Sequence, residues 1–226
     1  MRREVEVGVL VVFDVDGTIT ETTAVDAEVY ASVFRDVFGA PLPSTNWAEY
    51  KHATDQGIAQ EAVARAGLDP RLIPEFTRRF VADLRAVLAR RGALQVPGGA
   101  ALLDRLAVRG HAFAFATGAW EESARAKLSS AGIDVSGRVL VGSDFHVARE
   151  EIIREALRLA PRARRAVYVG DGPWDVKAAR ALGMPFVGVD RRDSGALSSA
   201  GAREVLADYR DIEAALAALA RATVPE

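Results

Sequence analysis

Two acidic residues stand directly after a short, strongly apolar run near the start of this 226-residue chain. The run is Val9-Leu10-Val11-Val12-Phe13, and Asp14 and Asp16 follow it. Because side chains at i and i+2 of a strand lie on one face, both carboxyl groups emerge together at the strand's carboxyl end, where ligands of open α/β sheets bind. Two like charges there imply a bound cation, a shared proton, or a reaction that uses one carboxylate as nucleophile and the other as acid or base.

Composition excludes several classes of function. Half of the residues are apolar and the formal net charge is −2, with no basic block, so nucleic acid is not expected as a partner. The sequence contains no cysteine, so any bound metal is expected to have oxygen ligands. The longest apolar run is too short to span a bilayer, and the amino terminus lacks a signal-type pattern. We therefore expect a cytoplasmic protein without a membrane partner.

Short apolar strands alternate with helical patterns in the second half of the chain. The predicted strands are Ala112–Ala116, Val139–Gly142, Ala166–Val169 and Phe186–Val189, with a possible edge strand at Arg203–Leu206. The predicted helices between them are Trp120–Ala131, Glu150–Leu159 and Trp174–Leu182. This alternation predicts an α/β fold with a doubly wound, Rossmann-like parallel sheet and helices on both faces.

The interval between the first strand and residue 91 contains no convincing strand. It shows three helical patterns, Ala24–Phe38, Trp47–Ala66 and Arg71–Arg90. We predict a core domain of residues 1–21 and 92–226 and an inserted helical cap of residues 22–91, called the cap segment below. Hinges are expected near Thr20–Thr23 and Gly92–Pro97, where the chain leaves and re-enters the core.

Polar residues stand at the ends of three further predicted strands. Thr117 and Gly118 precede a helix and are candidates for binding a phosphate group through a hydroxyl and free backbone N–H groups. Asp171 ends a strand and Asp175 begins the next helix, a pair that suits Mg²⁺. Arg149 follows the intervening strand and supplies the positive charge that a phosphoryl group requires.

Taken in order, these segments resemble the haloacid dehalogenase superfamily of aspartate-nucleophile phosphatases and phosphotransferases. The matching motifs are FDVDGTIT at residues 13–20, ATG at residues 116–118 and GDGPWD at residues 170–175. The combination is far more specific than any one of the three motifs, and the resemblance spans nearly the whole chain.

The resemblance implies a role for each acidic residue of these motifs. Asp14 would attack phosphorus and become a phosphoaspartate, while Asp16 would protonate the leaving oxygen and later accept a proton from water. Mg²⁺ would be held by Asp14, the main-chain carbonyl of Asp16, and Asp171, with Asp175 nearby. An acid at position 16 favours phosphate ester chemistry over dehalogenation, because an alkoxide leaving group must be protonated.

The sequence departs from the family at its third motif, where a lysine followed by proline is usual. No lysine occurs between Lys127 and Lys177. We expect Arg149 to replace it by position and charge, so that Thr117 and Arg149 join the catalytic set. Lys177 is an alternative that points away from Asp175 on a helix, and His146 is a weaker one.

The cap segment contains a polar stretch that is expected to face the active site. Substrate contacts are predicted from Lys51, His52, Thr54 and Asp55, in addition to Thr117 and Gly118 in the core. The alternative for Thr54 and Asp55 is that they only begin a helix.

These features predict a Mg²⁺-dependent phosphatase for a small soluble phosphate monoester, similar to the phosphoglycolate phosphatase-like branch with a helical cap. A phosphomutase acting on a sugar phosphate is the nearest alternative, and a non-catalytic binding domain on the same scaffold is another. The protein is expected to be a monomer or a homodimer.

Overall fold

The computed structural model describes residues 7–226. They form a parallel sheet flanked by helices, and a further helical segment is inserted after the first strand. The strands are β1 (Val7–Phe13), β2 (Ala112–Ala116), β3 (Leu140–Val141), β4 (Ala163–Gly170), β5 (Phe186–Val189) and β6 (Glu204–Leu206). Their order in the sheet is β3-β2-β1-β4-β5-β6, and every neighbouring pair is parallel. The predicted doubly wound α/β sheet is confirmed.

Helices cover both faces of the sheet and build the cap segment. Those of the cap segment are α1 (Thr23–Phe38), α2 (Asp55–Arg65) and α3 (Ile73–Arg91), with short 3₁₀ turns at Trp47–Glu49 and Pro70–Leu72. The remaining helices are α4 (Gly99–Val108), α5 (Glu121–Ser130), α6 (Arg149–Leu159), α7 (Pro173–Leu182), α8 (Ala196–Ser199) and α9 (Ile212–Arg221).

Strand β1 lies between β2 and β4 and is apolar on both faces because helices cover both faces of the sheet. Val11 and Phe13 pack in a core with α4 and α9, whereas Leu10 and Val12 pack in a second core with α6 and α7. Full burial of a side chain of this size contributes about 1.5–3 kcal/mol. The apolar run at residues 9–13 therefore lies in a central strand of the sheet, and the acids after it lie at the middle of the sheet edge.

The cap segment has an apolar core of its own. Tyr30, Phe34, Phe76 and Phe80 are fully buried there, and Trp120 from the start of α5 is buried among them. Trp120 stacks on Tyr30 with ring centroids 5.9 Å apart and lies 5.4 Å from the Phe80 ring. A side chain from the core thus anchors the cap segment over the carboxyl edge of the sheet.

One predicted helix is divided in the structure. The pattern Trp47–Ala66 was expected to be continuous, but only a 3₁₀ turn forms at Trp47–Glu49 and α2 begins at Asp55. The break occurs because Thr54 has an extended backbone and its side chain accepts a hydrogen bond from the Gly57 N–H, which caps α2. Among the described residues, every helix is too short or too polar to cross a lipid bilayer.

Candidate active site

The first acidic motif lies where β1 ends. The Asp14 N–H donates to the Val169 carbonyl at 2.9 Å, so Asp14 continues the pairing of β1 with β4. A tight turn then folds the chain back, with the N–H groups of Ile19 and Thr20 donating to the Val15 carbonyl. Asp14 is only 3% exposed, while Asp16 is partly exposed at the same edge. Both carboxylates therefore face the space above the carboxyl end of the sheet.

A second acidic pair lies beside the first, at the end of β4. One carboxylate oxygen from each of Asp14, Asp171 and Asp175 lies within 4.8 Å of the others, a group able to hold a metal ion. Gly17 has a φ of 75°, and a side chain there would collide with the Asp171 carboxylate. The glycine of the first motif therefore permits the two acidic motifs to approach each other.

Arg149 is buried between these acids at the start of α6. Its Nη1 lies 3.0 Å from Asp14 Oδ1 and 3.2 Å from Asp175 Oδ1, and its Nη2 donates to the Ala53 carbonyl of the cap segment at 2.8 Å. Gly118 leaves room for this arrangement, because a side chain there would collide with the guanidinium. Arg149 therefore places a cation beside Asp14 and Asp175, and its role as the third-motif cation stays a prediction.

The acids of this group experience strong desolvation. Burial raises the pKa of Asp14 to about 7, although the Arg149 guanidinium opposes the rise. Burial also raises the pKa of Asp171 well above its ordinary value, and the neighbouring carboxylates add to the effect. Carboxylates outnumber cations here, and all donors are oxygens, so the residues fit a hard divalent cation such as Mg²⁺.

Asp175 is held more firmly than the other acids. Its Oδ2 accepts the Gly172 N–H at 3.0 Å at the start of α7, and its Oδ1 accepts the Tyr168 hydroxyl at 2.8 Å. Sequence reasoning did not single out Tyr168. Tyr168 is fully buried on the face of β4 that packs against α6 and α7, where a hydroxyl needs a partner.

One pocket lies between the sheet edge and the cap segment, and it brings together most of the predicted site residues. Its lining from the core comprises Asp14, Asp16, Thr117, Gly118, Ala119, Arg149, Asp171 and Trp174. Its lining from the cap segment comprises Thr23, Asp26, Trp47, Ala53, Thr54, Asp55 and Ile58. The Thr117 hydroxyl also accepts the Ala119 N–H at 3.2 Å.

The four residues predicted to contact substrate from the cap segment divide into two pairs. Thr54 and Asp55 are buried and line the pocket. Lys51 is exposed and His52 is half-buried, and neither belongs to the lining. The Lys51 backbone N–H donates to the Glu61 carboxylate of α2 at 2.8 Å.

The sequence analysis missed a buried lysine beside Asp16. Lys127 Nζ lies 2.8 Å from Asp16 Oδ2 and also contacts Asp26 on α1, and Lys127 is fully buried. Thr22 donates to the other oxygen of Asp16. Although burial opposes it, the carboxylates raise the pKa of Lys127 above its ordinary value. The available signal was its position on the apolar stripe of α5, three residues after Ala124.

Comparison with known proteins places these residues in context. A profile of haloacid dehalogenase-like hydrolases matches residues 9–183. A phosphoglycolate phosphatase of Xanthomonas campestris is 32% identical over 186 residues, which cover 78% of this chain and 80% of the relative. A phosphoglycolate phosphatase of Rhodospirillum rubrum is 30% identical over 219 residues, covering 89% and 88%. The fold is similar to a hydrolase from Pseudomonas syringae, with a TM-score of 0.74 and 19% identity over 92% of this chain and 98% of that one.

Proposed function

The chain belongs to the haloacid dehalogenase-like hydrolase family and is a phosphatase, and we propose that it hydrolyses a small phosphate monoester through a phosphoaspartate at Asp14 in a Mg²⁺-dependent reaction. The observation that carries this proposal is the convergence of Asp14, Thr117 and Asp171 on one pocket, although they lie far apart in sequence. Each stands at the carboxyl end of a different strand, where parallel α/β sheets bind ligands.

The proposed chemistry follows from the positions of these groups. An Asp14 carboxylate oxygen attacks phosphorus while the ester P–O bond breaks, and Asp16 gives its proton to the departing oxygen. Water then attacks the phosphoaspartate and loses a proton to Asp16, which releases inorganic phosphate and restores both acids. The Arg149 guanidinium and the Thr117 hydroxyl are placed to hold the phosphoryl oxygens.

The proposed metal site uses the acids at the sheet edge. Asp14, Asp171 and the main-chain carbonyl of Asp16 would hold Mg²⁺, with Asp175 beside them. When bound, the ion supplies positive charge that offsets the charge on the phosphoryl oxygens. Asp175 also orients Arg149 through their 3.2 Å contact.

We further propose that residues 22–91 act as a cap over this site. Thr54, Asp55 and Ala53 of the cap segment contact the core beside the pocket, the last through Arg149. A cap in this position excludes bulk water during phosphoryl transfer, and it must open to admit the ester and release the products.

An isosteric substitution of the nucleophile tests the proposal. Asp14→Asn keeps the shape of the side chain and removes its nucleophilic oxygen, so phosphate release from p-nitrophenyl phosphate should disappear in the presence of Mg²⁺. Asp104→Asn, an exposed acid on α4, is the matched control and should retain wild-type turnover. EDTA should abolish wild-type turnover and added Mg²⁺ should restore it. Full activity of Asp14→Asn, with an unchanged circular dichroism spectrum, would eliminate the proposed nucleophile.

A second experiment distinguishes hydrolysis from phosphoryl transfer within a sugar phosphate. Phosphorus NMR of the protein with a hexose phosphate should show growth of the inorganic phosphate signal. A new sugar phosphate signal without inorganic phosphate would show a mutase instead. Two of the relatives are named phosphoglycolate phosphatase, so phosphoglycolate belongs in the first assay panel.

A further inference from the structure

The pocket has two halves with different chemistry. The half at the sheet edge holds Asp14, Arg149 and the other groups proposed to bind phosphate. The half under the cap segment is lined by Asp26, Asp55, Trp47 and other residues of the cap. Given the proposed function, on which this inference rests, the second half receives the alcohol part of the ester.

The half under the cap has more carboxylates than cations near it. The ammonium group of Lys127 lies beside this half, but it already forms ion pairs with Asp16 and Asp26. The Asp55 side chain accepts the Trp120 N–H at 3.0 Å and has no cation within ion-pair distance among the described residues. Three carboxylates and a single ammonium group therefore surround the space where the leaving group must lie.

The described residues that line the cap half of the pocket include no basic side chain. Of all the described lining residues, Arg149 alone is basic, and it lies at the sheet edge, where it contacts Asp14 and Asp175 and is proposed to hold the phosphate. An additional carboxylate held here would be desolvated without a cationic partner. Burial already raises the pKa of Asp55 and of Asp26, so this half of the pocket disfavours negative charge.

An ammonium group on the leaving alcohol is favoured in the same half of the pocket. Asp55 offers an ionic partner, and binding of a cation favours its carboxylate form. The Trp47 ring lines the same space, and aromatic faces attract cations. The groups of the cap segment thus complement positive charge.

We infer that the alcohol released by this enzyme carries no negative charge, and that a positive charge on it increases catalytic efficiency. The substrate class is then the phosphate monoesters of small amino alcohols, with polyol esters accepted less well. Phosphoglycolate, whose leaving group carries a carboxylate, is expected to be a poor substrate.

Three two-carbon esters that differ in one terminal group test this inference. They are 2-aminoethyl phosphate, 2-hydroxyethyl phosphate and phosphoglycolate, assayed for phosphate release with Mg²⁺. A leaving group of two carbons keeps its charge close to the phosphate and away from Arg191 and Arg192, which line a neighbouring groove. We expect kcat/KM to fall in the stated order, by at least about tenfold from the amine to the carboxylate.

A variant of the cap segment tests whether the charge of Asp55 causes this preference. Asp55→Asn retains an acceptor for the Trp120 N–H and removes the charge, so the ratio of kcat/KM for the amine over the carboxylate should fall at least about tenfold. Asp36→Asn, an exposed acid on α1, is the matched control and should leave the ratio unchanged.

The outcomes are distinguishable. Hydrolysis of p-nitrophenyl phosphate together with a preference for phosphoglycolate would overturn the inference and leave the proposed function standing. An equal rate for the three esters in the wild-type protein would also overturn the inference. Failure to hydrolyse any ester, by protein with native circular dichroism, would overturn both.

Discussion

At the scale of single residues, the choice of arginine at position 149 has a geometric reason. Its guanidinium reaches the carboxylates of Asp14 and Asp175 and the carbonyl of Ala53 at the same time. A planar group with five donors can make these three contacts in fixed directions, whereas a lysine ammonium acts as a point charge. Arg149 therefore joins the sheet edge to the cap segment as well as placing charge near the phosphate.

Lys127 provides a prediction at the same scale. Lys127→Met leaves the buried Asp26 and the partly exposed Asp16 without their cation, so the free energy of unfolding should fall by about 3–5 kcal/mol. The turnover of alkyl phosphates should fall more than that of p-nitrophenyl phosphate, because a phenolate leaving group depends less on protonation by Asp16. Urea denaturation and steady-state kinetics measure the two effects.

The control for this substitution is Lys51→Met, which removes an exposed lysine. It should change the free energy of unfolding by less than about 0.5 kcal/mol. Equal stability of the two variants would show that the Lys127 ion pairs contribute nothing to the folded state.

At the scale of elements, the start of α2 connects the cap segment to the core. The Thr54 hydroxyl accepts the Gly57 N–H within the helix and donates to the Val147 carbonyl, which lies just before α6. The Asp55 N–H donates to the Gly118 carbonyl at 2.7 Å. The helix that presents Asp55 to the pocket is therefore fixed at its first turn by backbone groups of the core.

Thr54→Ala tests the importance of this connection. Removing the hydroxyl deletes both a helix cap and a contact with the core, so the free energy of unfolding should fall by about 1–2 kcal/mol. KM for alkyl phosphates should rise, because Asp55 loses its fixed position. Thermal denaturation and initial-rate kinetics check the two results, with the exposed Thr45→Ala as control. A variant as stable as the wild type would argue against the capping role.

Much of the core at this scale follows from sequence, and so do helices α1 and α3 of the cap segment, whereas the contacts between the cap segment and the core do not. Parallel strands end at one edge of a sheet, so the strand pattern predicted that Asp14, Asp16 and Asp171 lie at that edge, and the family resemblance implied that they share one metal site. The contact between Lys127 and Asp26 was beyond prediction, because it depends on how α1 docks on α5. The division of the predicted helix Trp47–Ala66 has a similar cause, since the capping of α2 is completed by tertiary contacts.

At the scale of the whole molecule, the cap segment is held in a closed arrangement. The two connections between it and the sheet pair with each other, as Thr20 bridges Gln95 and the Glu21 N–H donates to the Leu94 carbonyl. Trp120 adds an anchor, because its ring is buried in the aromatic cluster of the cap and its Nε1 donates to Gln56 at 3.1 Å. Opening the pocket requires that this ring separate from its neighbours.

Trp120→Ala tests this account of the closed state. Loss of the ring leaves a cavity between α5 and the cap segment, so the free energy of unfolding should fall by about 3–5 kcal/mol. Amide hydrogen exchange should accelerate in α1, α2 and α3 more than in the sheet, because the cap loses its anchor. Phe145→Ala, an aromatic residue that is 95% exposed on the core, is the control. Uniform acceleration across sheet and cap would contradict an anchoring role.

The position of the tryptophans has a practical consequence. The sequence contains three, at positions 47, 120 and 174. Trp47 and Trp174 line the pocket from opposite sides, and Trp120 is buried where the cap segment meets the core. All of the indole fluorescence of the protein therefore originates around the pocket proposed to bind an ester. Ligand occupancy and the proposed opening of the cap segment can accordingly be followed optically in real time, on unlabelled protein.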